Sequence, residues 1–173
     1  MQIMNTLYSF VGAVLVLACI SDVRTRRIPN ALTFSAIVCA LLFHALTGGL
    51  GATGLSLAGC FLGGALFFPM FALRGMGAGD VKLLAAVGAW LGPSTVVMVA
   101  LAASLAGGVI AIAVALAHGY LKTAGRNLWM LLMHWRVMGV RPLEQVTLDG
   151  TLGPRLAYAV PISIGTLVTL WLK

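Results

Sequence analysis

The sequence predicts an all-α integral membrane protein: six transmembrane helices, with a short cytoplasmic interfacial helix between the fifth and the sixth. Three observations carry this prediction. Of 173 residues, 61% are hydrophobic and 9% charged, against roughly 45 to 50% apolar and about 25% charged in soluble domains. The mean hydropathy is +1.05. The charged residues are spaced so that four charge-free runs remain, 1–21, 28–73, 83–121 and 156–172. A membrane helix takes about 20 apolar residues, so each outer run holds one span and each central run holds two. The composition excludes a soluble enzyme with its own globular core, a disordered chain and a secreted disulfide scaffold. The runs are continuously apolar, which excludes a transmembrane β-barrel, whose strands alternate.

The first helix fills run 1–21. No Lys or Arg precedes it, as a secretory signal requires, and it is long enough to span, so it is expected to stay attached. Bulky Leu17 and the missing basic segment likewise argue against lipoprotein cleavage at Ala18-Cys19. Helix two is expected at about 31–47 and helix three at about 54–73, parted by the helix-breaking stretch Thr47-Gly48-Gly49-Leu50-Gly51. Gly92-Pro93-Ser94 divides the next run into helix four, about 80–91, and helix five, about 95–117. Helix four is short, so it either tilts little or enters from a re-entrant loop buried against protein. Helix six covers about 156–172, with Pro161 near its start. Before it, the stretch from Arg126 to Arg136, with Trp129 and Trp135, is too short to span. Its basic ends and tryptophans read as a helix lying in the cytoplasmic interface, the alternatives being a partial seventh span or a helix packed on the bundle. Gly59-x-x-x-Gly63 and Gly88-x-x-x-Gly92 read as close helix packing.

The excess of eleven Lys and Arg over four Asp and Glu would suggest nucleic acid in a soluble protein. Here topology accounts for it, and no nucleic-acid partner is expected. Arg24, Arg26 and Arg27 follow helix one, Arg74 and Lys82 bracket the turn between helices three and four, and Lys122, Arg126, Arg136, Arg141 and Arg155 lie between helices five and six. The turns at 48–53 and 92–94 hold none. Basic residues therefore fall on alternate loops, which predicts a multi-pass protein of the inner (cytoplasmic) membrane with both termini periplasmic. Cys19, Cys39 and Cys60 sit in apolar runs without a CxxC pair, and His44, His118 and His134 are scattered. Neither a metal site nor any cofactor is indicated.

The four acids carry the functional signal. Glu144 and Asp149 lie in the polar segment before helix six, where solvation is their expected role. Asp22 and Asp80 lie at ends of membrane segments on the same expected face. An ionisable group there is costly and invites a functional reading. Each also has a plain one: Asp22 as a juxtamembrane charge offset by Arg26 one turn on, Asp80 as a helix cap. The context favours function. Gly77-Ala78-Gly79 before Asp80 allows close backbone approach and leaves the carboxyl group unshielded. Asp22 opens a segment in which Pro29 and Asn30 end one element and start the next. Two carboxyl groups brought together in a poorly hydrated site cannot both ionise readily and would share a proton. That is the requirement of aspartic proteolysis, in which one acid takes a proton from water and the other polarises the scissile carbonyl.

Asp22 followed by Arg27-Ile28-Pro29-Asn30, then Gly77-Ala78-Gly79-Asp80-Val81-Lys82-Leu83, then Val160-Pro161-Ile162-Ser163-Ile164-Gly165, resembles the type IV prepilin peptidase family, intramembrane aspartic proteases with a GxGD motif. The resemblance runs over nearly the whole chain and is closest to the short CpaA/TadV group, which processes prepilins of tight-adherence (Flp-type) pili. It implies one membrane-embedded peptidase domain over 1–173, with Asp22 and Asp80 as catalytic dyad and Gly77, Gly79, Lys82, Pro29, Asn30 and Pro161 as supporting motif residues. It implies as partners a prepilin, through its basic leader and apolar N-terminal helix, and membrane lipids. Cleavage would fall at the cytoplasmic boundary, commonly after Gly.

The chain departs from the longer members in lacking their cytoplasmic region of paired cysteines, so methylation of the new N-terminus is not expected. Ser163 stands where glycine or an aromatic is more usual and receives no role. Lys82 either tunes an aspartate or reaches the lipid head groups. The three arginines after helix one read as orientation determinants, since a prepilin leader is itself basic. The Pro-Ala-Leu triplet and Tyr-Asp pair of the presenilin group are absent. Two rivals remain, a small proton-coupled transporter using the aspartates as a relay, and a non-catalytic subunit of a pilus or secretion assembly.

Overall fold

A computed structural model of the chain describes residues 2–139 and 157–172. The expectations for Arg141, Glu144, Asp149 and Arg155 lie outside the described residues. Within them the protein is all helical: α1 (Gln2–Thr25), α2 (Asn30–Ala72), α3 (Ala78–Leu91), α4 (Pro93–Ala117), α5 (Leu121–Met138) and α6 (Ala159–Trp171). By length and composition α1 (over Thr6–Thr25), α2 and α4 can each cross a membrane, and α6 is a shorter apolar helix.

The expected break between helices two and three is tighter than the sequence suggests. Helix runs up to Gly48 and resumes at Leu50, with Gly49 alone non-helical at φ 66°, ψ −160°. That backbone region is open essentially to glycine only, so one residue of the Gly-rich stretch suffices to break the helix. The arms 30–48 and 50–72 then run antiparallel along α3. In the first arm, Asn30 meets Lys82 at the start of α3 and His44 meets Trp90 at its end. In the second arm the order is reversed: Ser56 donates to the Ala89 carbonyl at 2.7 Å, and Gly63 packs on the Leu84 carbonyl further back.

The turn between α3 and α4 is a single residue, Gly92, at φ 80°, ψ 173°, with Pro93 opening α4. This matches the break expected at Gly92-Pro93-Ser94, since proline at the first helical position gives up an amide that has no partner anyway. Gly92 is the turn residue, and its backbone also packs on α2, since a Cβ on Gly59 would lie 3.0 Å from the Gly92 carbonyl carbon. Gly59 and Gly88 do pack as expected: a Cβ on either would strike the other's backbone carbonyl, so only hydrogen there lets α2 and α3 touch.

α3 sits at the centre. It contacts α1, α2, α4 and α6, and each side chain from Leu83 to Trp90 is buried. The short fourth helix is thus sheltered by protein. The surrounding helices bury one stripe each and leave their other faces apolar: Val16, Leu46, Phe61, Leu105 and Leu167 are all exposed, as expected of surfaces that meet lipid. α5 is longer than the expected 126–136 and touches the bundle mainly through α4. It leaves Leu128 and Trp129 exposed.

Candidate active site

Among the described side chains of α1, the buried ones are Val11, Val14, Leu15, Ala18 and Asp22. Their spacing of three and four is one face of a helix, and Asp22 is its last member, 6% exposed. The same helical periodicity that packs the valines therefore carries a carboxylate into the bundle. Arg26, with φ 54°, then turns the chain out of α1, and its amide bonds the Asp22 carbonyl at 2.9 Å. The segment 27–29 leads straight into α2.

Asp80 reaches the same place from α3. Gly77 is the N-cap of α3, with φ −75°, ψ 147°. The Asp80 carboxylate, three residues on, turns back to the Gly77 amide, the return half of a capping box. The capping role that the sequence allows for Asp80 is thus present, and it orients the acid rather than exposing it: Asp80 is 9% exposed. The charge of Asp22 acts on it directly.

The two acids share two pockets. One, of about 410 Å³, is lined by Asp22, Asp80, Arg26, Arg27, the Ile28-Pro29-Asn30 segment and 77–79. The other, of about 360 Å³, is lined by Asp22, Asp80, Arg26, the 75–77 turn, Gly107, Gly108, Ala111 and Tyr158. The first has a second arginine, Arg27, in its wall, and the second has small residues of α4 together with the Tyr158 phenol.

The motif residues meet here in specific ways. A Cβ on Gly77 would lie 3.2 Å from Asp80 Oδ2, and a Cβ on Gly79 would lie 3.1 Å from the Cβ of Ile28. The first glycine makes room for the acid, the second for the segment following α1. Lys82 Nζ donates to Asn30 Oδ1 at 2.9 Å and lies 5.4 Å from the Phe34 ring centre, so it ties the first turn of α3 to that of α2. Pro161 is fully buried within the first turn of α6. Arg26 and Arg27 line the cleft, whereas Arg24 does not. His44 lies at the far end of α3 against the Trp90 carbonyl, 3.3 Å away.

Sequence reasoning missed two contributions, both from the start of α6. The Ala159 amide donates to Asp22 Oδ2 at 3.1 Å, which brings a helix N-terminus, with its positive dipole end, onto the acid. Tyr158, just before it, lines the second pocket, within electrostatic reach of Asp80. Its ring packs edge-on against Phe67 at 5.8 Å and fits against Gly107, where a Cβ would lie 2.8 Å from the phenol oxygen. The only sequence signal for either was the proximity of the Pro161 motif.

Chemically, two nearly buried carboxylates beside an open cleft can activate water and polarise a carbonyl. Prepilin leader peptidase/N-methyltransferase of Neisseria gonorrhoeae is 30% identical over 141 residues, which cover 69% of this chain and 49% of that protein. Proteins of the same description from Aeromonas hydrophila and Aeromonas salmonicida are 33% identical over 114 residues, 62% of this chain and 39% of theirs. The chain thus spans half or less of the length of these curated relatives. No solved structure matches. The model of the type IV leader peptidase family matches residues 9–112, a stretch that holds Asp22, Pro29, Asn30 and all of Gly77 to Lys82, and the chain belongs to that family.

Proposed function

We propose that this chain is an intramembrane aspartic endopeptidase that removes the basic leader from type IV prepilins of the Flp/Tad type at the cytoplasmic face of the membrane. The observation that carries the reading is the pairing of Asp22 and Asp80, 6% and 9% exposed, at one cleft between α1 and α3. The relatives named above are described as prepilin leader peptidases, and the family membership supports the substrate class.

In this reading one carboxylate is ionised and takes a proton from a water held between the pair, while the other is protonated and donates to the scissile carbonyl oxygen. The resulting hydroxyl attacks the carbonyl carbon, and the proton gained from water passes to the leaving amine as the peptide bond breaks. The acid that donated to the carbonyl recovers its proton from a hydroxyl of the tetrahedral intermediate as that bond breaks, so each acid ends in the protonation state in which it began. The apolar N-terminal helix of the prepilin lies along the bundle in the lipid and its leader projects to the cytoplasm. Methyl transfer to the new N-terminus forms no part of the proposal.

The reading includes six crossings, with each arm of α2 counted as one. At 1.5 Å per residue each arm is about 30 Å long, the thickness of a bilayer's hydrocarbon core. Both termini are then periplasmic, and α5 lies in the cytoplasmic interface with Lys122, Arg126 and Arg136 toward the head groups.

The test is co-expression with a Flp-type prepilin, read as a size shift. Asp22→Asn and Asp80→Asn should each abolish cleavage at unchanged abundance in the membrane. Near-normal cleavage by either variant removes that residue from the mechanism.

A further inference from the structure

α1 and α6 are joined by polar contacts at two levels. At the cleft, Ala159 N donates to Asp22 Oδ2 at 3.1 Å. One turn deeper, Cys19 Sγ lies 3.0 Å from Ser163 Oγ, and that hydroxyl donates to the Ala159 carbonyl at 2.8 Å. A serine hydroxyl has one proton. Ser163 gives it to Ala159, so the Cys19 S–H is the donor in the Cys19–Ser163 contact. The bonds close a circuit: Asp22 to the Ala159 amide, the Ala159 carbonyl to Ser163, Ser163 to Cys19, and Cys19 through one turn of α1 back to Asp22.

The other first-turn amides of α6 are committed elsewhere. Val160 N bonds the Ala157 carbonyl, Ile162 N bonds the Tyr158 carbonyl, and Pro161 has no N–H. The Ala159 amide is therefore the one of this turn directed at the acid. On the opposite side α6 is gripped by α4, where a Cβ on Gly165 would lie 2.5 Å from Ala103 N. On the α1 side, the side-chain contact one turn below Asp22 is the Cys19–Ser163 pair.

We propose that Cys19 and Ser163 are positioning residues that hold the first turn of α6 on α1, so that the Ala159 amide fixes the orientation of the Asp22 carboxylate. The proposal rests on the reading of Asp22 as a catalytic acid.

The experiment uses the purified full chain in detergent with a purified prepilin. Cys19→Ala and Ser163→Ala should lower kcat roughly 3- to 30-fold, a part of the roughly 100-fold that a misplacement of about 1 Å can cost, with KM unchanged. Cys19→Ser, which keeps a donor, should recover most of the loss. Normal kcat in both alanine variants would overturn the proposal, as would a change confined to KM, or a Cys19→Ser variant as slow as Cys19→Ala. Independently of activity, Ser163→Cys with Cys39→Ala and Cys60→Ala should form a disulfide to Cys19 under mild oxidation, and failure to cross-link would remove the contact itself. Asp22→Asn measured in parallel separates the two readings: normal cleavage there defeats the catalytic assignment, while the cross-link still reports on the pair.

Discussion

The sharpest handle on the cleft is Gly77, because its backbone is ordinary. At φ −75° and ψ 147° it occupies a region open to any residue, so substitution there strains no backbone and its effect comes from the side chain alone. A Cβ at 77 would stand 3.2 Å from Asp80 Oδ2, closer than most carbon contacts, and the carboxylate must give by a few tenths of an ångström. At roughly 100-fold for about 1 Å, Gly77→Ala should lose about 3- to 10-fold in cleavage. Gly77→Val adds two methyl groups beside the acid and should abolish it. Stability should move little in Gly77→Ala: alanine restricts the unfolded chain by about 0.4 to 1 kcal/mol, and the poorer helix cap takes back a similar amount. Gly79 provides the neighbouring case, since a Cβ there meets Ile28 at 3.1 Å and displaces the Pro29-Asn30 wall rather than the acid. Gly79→Val should therefore also lose cleavage. The assay is prepilin co-expression read by size shift, with thermal unfolding in detergent as the stability control. Normal cleavage by both valine variants would show that the motif is only a turn. A Gly77→Ala variant whose abundance falls in step with its activity would refute the separation of the two effects.

Two further outcomes test the frame around the acids. Alkaline-phosphatase fusions after residue 50 and at the C-terminus should be active and those after residues 27 and 140 inactive; the reverse pattern would place the acids on the wrong side for a cytoplasmic-face peptidase. Tyr158→Phe keeps the ring packed on Phe67 and removes the hydroxyl from the pocket wall, so it should keep its abundance and lose about 3- to 10-fold in cleavage, the worth of one hydrogen bond to substrate of roughly 0.5 to 1.5 kcal/mol; an unchanged rate would make the residue packing alone.

What was legible in the sequence was local. Gly92 before Pro93 announces a stop and a start, and the turn is that one residue. Asp22 and Asp80 stand out because carboxylates are scarce in an apolar chain. The Gly-rich stretch at 47–51 announces a break but not which glycine takes positive φ, because several could, and the helix continues through all but Gly49. What was illegible depends on which helices are neighbours. Ala159 and Asp22 are far apart in sequence, and hydropathy marks both segments as apolar without saying that the end of one meets the start of the other. Lys82 had two readings, and its bond to Asn30 is neither of them, since the antiparallel return of α2 brings that partner into reach.

The arrangement also explains how acids are held in so apolar a bundle. A carboxylate at the centre of a membrane helix costs on the order of 2.5 to 3.5 kcal/mol, and less toward the interface. Each acid here is met by the N-terminal end of a helix. Asp80 sits in the first turn of its own helix, α3, and reaches the Gly77 amide. Asp22 lies in the last turn of α1, at the unfavourable negative end of that dipole, and receives the Ala159 amide from α6 instead. A helix N-terminus contributes roughly 0.3 to 1 kcal/mol and a hydrogen bond to a charged group about 1.5 to 3 kcal/mol, together comparable to the cost. Support by amides asks for backbone close to the acids, and that is where Gly77 and the first turn of α6 are placed. If Asp22 is a catalytic acid as proposed, α6 belongs to the same unit although it carries no acid: displacing its first turn would leave Asp22 facing the apolar bundle at the wrong end of its own helix.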